Sequence, residues 1–197
     1  MVPTGTANRA SVAAAFQRIG ATVALVESAA DVVAAEFLVV PGVGAFGVAM
    51  KQVDALGLRR ALRQRIDAGR PTLAVCVGMQ LLSASSEESP EAVGLGIVPS
   101  VVGRFAGDLR VPQLGWNQVT PHPGSRFIEA GWAYFANSFR LERVPRGWLG
   151  ATTDYGGGFV SAMERQNVLA CQFHPELSGS WGAGLLARWL DLSQAAA

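Results

Sequence analysis

Cys76 is the residue of this chain best placed to act as a nucleophile. It follows Thr72–Val75, an apolar stretch typical of a buried strand, and the residues after it have helical spacing. A sharp strand-to-helix turn exposes the side chain at its apex, and the free N–H groups of the following helix favour a thiolate. Taken alone, Cys76 is as easily interpreted as a small buried hydrophobic residue, the usual state of a free cysteine.

A base and a carboxylate that could orient it lie together in His174-Pro175-Glu176. Pro175 disfavours helix at His174, and an extended chain would point His174 and Glu176 to the same side. His174 would take the thiol proton, and Glu176 would hold the imidazole. The alternative is a surface turn after an edge strand. The second histidine, His122, lies in a proline-rich turn and is interpreted as structural or exposed.

These two motifs resemble those of the class I glutamine amidotransferases. Within that family, the chain resembles the glutaminase subunits of imidazole glycerol phosphate synthase, from about Asn8 to Trp189. The segments that carry this likeness are Pro41–Met50, Gly78–Leu82, Gly94–Pro99, Leu114–Val119, Tyr134–Phe135 and Gln172–Gly179.

The resemblance implies hydrolysis of the side-chain amide of glutamine to glutamate and ammonia. Cys76 would form a glutamyl thioester, with His174 and Glu176 completing the catalytic triad. The ammonia would pass to a separate cyclase subunit, a (β/α)₈ barrel, in a heterodimer. That subunit would make imidazole glycerol phosphate and aminoimidazole carboxamide ribotide in histidine biosynthesis.

The resemblance also implies binding residues. The backbone N–H groups of Val43 and Val77 would form the oxyanion hole, and the glycines beside Val43 would let its peptide rotate as a partner-controlled switch. The expected glutamine-binding residues are Gly42, Gly44, Gln80, Ser138 and Phe139. The expected partner interface contains Trp116 and Asn117, and replacing Trp116 by alanine should weaken cyclase binding without unfolding the chain.

Three positions depart from the family pattern. Ala74 replaces the first glycine of Gly-x-Cys-x-Gly, which predicts a slight backbone adjustment. Asn137 replaces a histidine, which predicts retained activity with a possible loss of affinity. Met1–Arg9 leaves little room for the buried first strand of the family, so we expect residues 1–197 to form one amidotransferase domain with a shortened first strand.

Composition is consistent with one enzyme domain. The 197 residues are 50% hydrophobic and 16% charged, with a net charge of +1, which gives no basic face for nucleic acid. Two cysteines do not make a disulfide framework, so a cytoplasmic location is expected. No apolar run reaches the length of a membrane span, and no residue cluster suggests a metal or another cofactor.

The order of elements predicts a three-layer α/β fold. Its central sheet should be mixed and largely parallel, with a nucleophile elbow and an antiparallel C-terminal part. Helices are predicted at 8–19, in a pair ending at Ala68, and at 181–192; Arg59, Arg60, Arg63 and Arg65 should lie on an exposed helix face. Strands are predicted at 22–26, 36–40, 72–75, 97–105, 115–120, 132–136, 158–163 and 168–173.

Three other functions stay open at this stage. The chain could be the glutaminase of another synthase, such as one for anthranilate or pyridoxal phosphate. It could be a different cysteine hydrolase built on the same turn. It could also be a non-catalytic regulatory subunit that keeps the triad residues.

Overall fold

The computed structural model describes residues 1–5 and 8–194. The helices are α1 Arg9–Arg18, α2 Ala29–Ala34, α3 Phe46–Ala55, α4 Arg59–Asp67, α5 Val77–Gln80 and α6 Gly179–Gln194, with a 3₁₀ turn at Pro175–Leu177. The strands are β1 Leu38–Val40, β2 Thr72–Val75, β3 Ser85–Ser86, β4 Val101–Arg104, β5 Gln113–Pro121, β6 Gly131–Asn137, β7 Phe139–Arg140, β8 Leu149–Asp154, β9 Gly158–Arg165 and β10 Val168–Cys171.

A seven-stranded mixed sheet forms the centre of the fold, in the order β1-β2-β10-β9-β8-β5-β6. Parallel pairing joins β1, β2 and β10, and the other neighbours in this sheet are antiparallel. A smaller sheet has the order β3-β4-β7. The mixed α/β class is confirmed, although the parallel part is smaller than the sequence predicts.

The predicted strand at 22–26 is wrong, and its surroundings explain why. Met1 lies beside this segment: its amino group donates to the Ala24 carbonyl at 2.6 Å, and its carbonyl accepts from the Val26 N–H at 3.1 Å. Val2 is fully buried and donates to a carbonyl of β1 at 2.8 Å. The chain start therefore occupies the space next to β1, but this pairing is too short to form a strand.

The expected exposed face of arginines is also wrong at Arg65, which is 2% exposed. Its guanidinium donates to four carbonyls and to the Thr72 hydroxyl; the carbonyls are those of Val32, Ala35, Glu36 and Pro71. Burial, together with the positive charge of Arg70, lowers the pKa of Arg65 to about 10. Arg65 thus ties α4 to the end of α2 from inside the protein.

The core packs around aromatic side chains and brings α1 and α6 together. Trp189 of α6 is fully buried, and the rings of Phe16 and Phe37 contact it edge-on, with centroids 6.4 and 5.5 Å away.

The segments that follow β1, β2 and β10 lie at one edge of the sheet, because these three strands run parallel. Ligand sites in open α/β sheets form at that edge.

Candidate active site

Cys76 lies at a sharp turn between β2 and α5, as the sequence predicts. Its backbone has φ of 54° and ψ of −111°, a left-handed conformation that is strained for a residue with a side chain. The Cys76 N–H donates to the Cys171 carbonyl of β10 at 2.7 Å, which holds the turn against the neighbouring strand. Gly78 permits the turn, because a Cβ there would lie 1.9 Å from the Val40 carbonyl oxygen.

Ala74, the first departure from the family pattern, fits the strand before this turn. It is fully buried and pairs in register with Val40 of β1 and Ala170 of β10. The extra methyl group therefore lies inside a continuous parallel sheet.

His174 and Glu176 form the predicted pair of base and carboxylate. His174 Nδ1 lies 2.8 Å from Glu176 Oε1, and both side chains are 5% exposed. The main chain of His174 is held by its N–H bond to the Tyr134 carbonyl of β6, at 2.9 Å. Because Nδ1 faces Glu176, Nε2 is the ring nitrogen left for Cys76.

The environment of His174 favours the imidazolium. Burial acts to lower the pKa of this group, but hydrogen bonds to the Cys76 sulfur and the Glu176 carboxylate, together with their charges, raise it to about 10. A protonated His174 beside a thiolate is the arrangement that a Cys-His nucleophile needs. A reactive thiol has a lowered pKa, but the pKa of Cys171 is raised. Burial raises it most, and the charges of Glu176 and Glu164 raise it further.

The predicted oxyanion loop lies between β1 and α3, directly against Cys76. The Val77 N–H donates to the Gly42 carbonyl at 3.2 Å. The Gly42 carbonyl and the Val43 N–H belong to one planar trans peptide, so they point in opposite directions. In this structure the Val77 N–H is therefore already bonded to the Gly42 carbonyl, and the Val43 N–H points away from Val77.

One cavity of about 420 Å³ collects most of the predicted site residues. Its lining includes Val43, Gly44, Cys76, Val77, Gln80, Ser138, Phe139 and His174. Gly42 is not among the lining residues and instead supplies the carbonyl described above. Asn137, the second expected departure from the family pattern, also lines the cavity and donates through Nδ2 to the Phe139 carbonyl at 3.0 Å.

Comparison with known proteins decides the family. The model of the family described as "Glutamine amidotransferase class-I" matches residues 4–190. The chain belongs to the class I glutamine amidotransferases.

Three of its relatives in this amidotransferase family carry the name imidazole glycerol phosphate synthase. The chain is 42% identical to imidazole glycerol phosphate synthase subunit HisH of Symbiobacterium thermophilum, over 96% of this chain and 91% of the relative. It is 41% identical to the subunit HisH of Deinococcus radiodurans, over 94% and 89%. Imidazole glycerol phosphate synthase hisHF of Arabidopsis thaliana is 38% identical over 94% of this chain and 33% of the relative. The resemblance to this branch of the amidotransferases is confirmed.

Two solved structures share the fold. A crystal structure of glutamine amidotransferase superposes with a TM-score of 0.78 at 21% identity, covering 98% of this chain and 97% of the other. The structure of PurLQS from Thermotoga maritima gives a TM-score of 0.71 at 14% identity, covering 97% and 96%. At these identities the likeness concerns the fold alone.

The two predicted interface residues of this amidotransferase do not share a face. Trp116 on β5 is 54% exposed, and its ring contacts Tyr134 edge-on. Asn117 follows it on the strand and points the other way, because successive side chains alternate. Asn117 Nδ2 donates to the Asp154 carbonyl at 2.8 Å, which uses this side chain within the chain itself.

Glu88 is a residue of the amidotransferase site that the sequence did not reveal. It lines the cavity, and its Oε2 accepts from the Phe46 N–H at 2.7 Å, at the first turn of α3. The neighbouring Ser89 Oγ accepts from the Gly47 N–H at 3.1 Å. These two side chains cap α3 from another segment and fix the end of the oxyanion loop. In the sequence, the only sign of this role is that Glu88 is one of two adjacent acidic residues in a polar loop.

Within residues 1–5 and 8–194, no helix is both long enough and apolar enough to cross a membrane. The same ranges hold no group of three or more His, Cys, Asp or Glu side chains arranged to bind a metal ion.

Proposed function

We propose that this amidotransferase hydrolyses glutamine through Cys76, His174 and Glu176. His174 Nε2 holds the proton of Cys76 before the attack, the thiolate attacks the side-chain amide carbon, and His174 gives that proton to the leaving ammonia. Water then hydrolyses the glutamyl thioester to glutamate. The observation that most supports this is the meeting of Cys76 and His174 in one cavity, with the Glu176 carboxylate 2.8 Å behind the imidazole.

The charge of the cavity suits the ammonium group of glutamine. Glu88 is the acidic residue of the lining, and the lining within the described residues contains no arginine or lysine. Since Glu88 Oε2 already accepts from the Phe46 N–H, Oε1 is the atom that would bind the substrate ammonium group. Gly44, Gln80, Ser138 and Phe139 would hold the rest of glutamine.

The oxyanion loop would act as the switch of the reaction. Rotation of the Gly42–Val43 peptide would withdraw the carbonyl from Val77 and turn the Val43 N–H into the site. Gly44, with φ of 84°, is a glycine directly after Val43, so the main chain there can adjust to this rotation. Loss of one oxyanion donor typically lowers a rate by about 10²–10³. A structure of the complex with bound cyclase substrate in which Val77 still donates to Gly42 would contradict this step.

The ammonia would pass to a separate cyclase subunit of imidazole glycerol phosphate synthase. The names of the HisH relatives support this partner, and the exposed Trp116 supports a docking face on β5. We also propose a cytoplasmic location, because the reaction needs Cys76 as a free thiol, and reducing compartments keep thiols free.

Glutamate release from glutamine tests the proposal. It should be measured for the chain alone and with the cyclase subunit plus its nucleotide substrate, and Cys76→Ala should abolish it. Release that the partner stimulates strongly would support a gated glutaminase. A folded chain that releases no glutamate in either condition would contradict the proposal and favour a regulatory subunit. Acylation of Cys76 by another amide but not by glutamine would favour a different hydrolase.

A further inference from the structure

Gln172 is a fully buried polar residue behind the nucleophile, next to the end of β10. Its main-chain N–H donates to the Ser161 carbonyl at 2.8 Å, which fixes the backbone. Its side chain is outside the cavity lining, yet Nε2 lies 3.6 Å from Cys76 Sγ. A buried amide is costly unless its groups find hydrogen-bond partners, so this contact needs a physical explanation.

The orientation of the Gln172 amide follows from its neighbours. Gln80 Nε2 donates to the Phe139 carbonyl at 3.2 Å and to Gln172 Oε1 at 2.9 Å. A backbone carbonyl can only accept, so the Gln80 amide group must present its nitrogen on this side. Gln172 therefore presents its oxygen to Gln80 and its nitrogen to Cys76.

An N–H group directed at sulfur stabilises the thiolate more than the thiol. A neutral thiol is a weak acceptor, whereas hydrogen bonds to charged acceptors are about twice as strong as neutral ones. When Cys76 loses its proton, the S–H bond breaks, the proton passes to His174 Nε2 and the electron pair stays on sulfur. Gln172 exchanges no proton in this step and only donates to the charge that forms.

We propose that Gln172 is a further catalytic residue, which stabilises the Cys76 thiolate and fixes its direction through the chain Phe139-Gln80-Gln172-Cys76. This inference rests on the proposed glutaminase function, because it assigns a role within the same site. It also gives Gln80 a second role, since Gln80 lines the cavity beside Cys76 and holds the amide of Gln172.

The test is the pH profile of Cys76 alkylation by iodoacetamide, followed by mass spectrometry on the folded chain. Gln172→Met keeps the approximate volume and removes the donor. We expect the midpoint of the profile to move to higher pH, and the rate on its acid limb to fall about tenfold. Cys76→Ala measures any background from Cys171, which is fully buried. Ser161→Ala, on the neighbouring strand, is the matched buried control and should leave the midpoint unchanged.

Gln80→Met is the second variant, in case Gln172→Met fails to fold. It removes the group that orients Gln172, so it should shift the midpoint in the same direction by a smaller amount. A midpoint that stays in place in the folded variants would overturn the inference. Because alkylation does not need glutamine, a shifted midpoint in a chain that releases no glutamate would refute the glutaminase proposal alone.

Discussion

The pKa of His174 depends on its two neighbours, the Cys76 sulfur and the Glu176 carboxylate. The imidazole lies between two groups that become negative, and all three side chains are nearly buried. Burial of a single charge would be unfavourable, but a positive imidazolium between a thiolate and a carboxylate is compensated on both sides. The free site should therefore hold the proton on His174.

The first prediction concerns the titration of His174. Replacing Cys76 by alanine removes the hydrogen bond and the charge of the sulfur, which act to raise the pKa of His174, while burial still acts to lower it. The pKa should therefore fall from about 10, and the imidazolium should lose its proton at lower pH than in the unmodified chain. NMR of protein labelled at histidine ¹³Cε1 measures this directly.

The assignment is simple because the chain has two histidines. His122→Gln removes the other signal, and this residue is exposed in a turn away from the cavity. Glu176→Gln should lower the pKa of His174 as well, because the Glu176 carboxylate also acts to raise that pKa. An unchanged titration in Cys76→Ala would show that the sulfur does not influence the imidazole.

The second prediction concerns Gly78 in the turn after the nucleophile. Gly78→Ala would place a Cβ 1.9 Å from the Val40 carbonyl oxygen, so α5 or β1 must move. We expect the free energy of unfolding to fall by about 1–3 kcal/mol and glutamate release to fall with it. Gly184→Ala in α6 is the control, because its Cβ would meet nothing within 4 Å. That change should stabilise the helix by about 0.5–1 kcal/mol, as a urea titration would show.

At the scale of elements, the His-Pro-Glu turn is attached to β6 through Ser178. Its hydroxyl donates to the His174 carbonyl at 2.6 Å and accepts from the Tyr134 N–H at 3.0 Å. The His174 N–H donates back to the Tyr134 carbonyl, so both polar groups of one β6 residue hold the turn. The position of the base therefore depends on this strand.

The third prediction follows from that attachment. Ser178→Ala leaves the partly buried Tyr134 N–H without its partner, which should lower the free energy of unfolding by about 0.5–1.5 kcal/mol. Because the imidazole is then held less accurately, kcat should fall by about tenfold to a hundredfold, with little change in KM for glutamine. Ser180→Ala, exposed two residues later, should change neither constant. A higher KM with unchanged kcat would indicate a binding role instead.

The elements that the sequence predicts well are those whose pattern reflects their burial. β2 is buried at every position and was predicted with its observed bounds, and the other predicted strands, apart from 22–26, have counterparts. The longest strand without a predicted counterpart, Leu149–Asp154, contains threonine and glycine and pairs with β9. The two-residue strands Ser85–Ser86 and Phe139–Arg140 also have none. The missed helix Ala29–Ala34 is short and depends on the Asp31 and Ser28 capping box.

The site was predictable where one motif holds the chemistry. Cys76 and the pair His174 and Glu176 could be found because each lies in a recognisable turn. Gln172 and Glu88 could not, because their roles arise from contacts with segments distant in sequence. The hydrogen bond from Val77 to the Gly42 carbonyl was also outside the reach of the sequence, since it depends on the orientation of one peptide.

At the scale of the whole molecule, an exposed apolar surface lies close to the His-Pro-Glu turn. Trp116 is 54% exposed, and it pairs across the strands with Tyr134, whose main chain holds His174. A Cβ at Gly179, three residues after Glu176, would lie 3.8 Å from the Trp116 ring. Leu114 and Leu177 are also exposed near this surface, at 61% and 42%. A partner bound here would contact the surface next to β6, the strand that positions His174.

The fourth prediction is that Trp116→Ala weakens binding of the cyclase subunit without unfolding the chain. Buried tryptophans at interfaces often contribute 2 kcal/mol or more, so Kd should rise by about thirtyfold. The fold should persist, because more than half of this side chain faces solvent in the isolated chain. Isothermal titration calorimetry measures the affinity, and a thermal melt of the free variant measures the fold.

Val93→Ala separates this effect from the loss of any exposed apolar side chain. Val93 is 67% exposed and lies beside Arg59 of α4, so its replacement should leave the Kd unchanged. At saturating cyclase, Trp116→Ala should also reduce stimulation of glutamate release, because the ring contacts Tyr134, whose main chain holds His174. Weaker binding with full stimulation would restrict Trp116 to docking, and an unchanged Kd would place the interface elsewhere. The Kd and the degree of stimulation together therefore decide whether this surface only binds the cyclase or also changes the position of His174 when the cyclase binds.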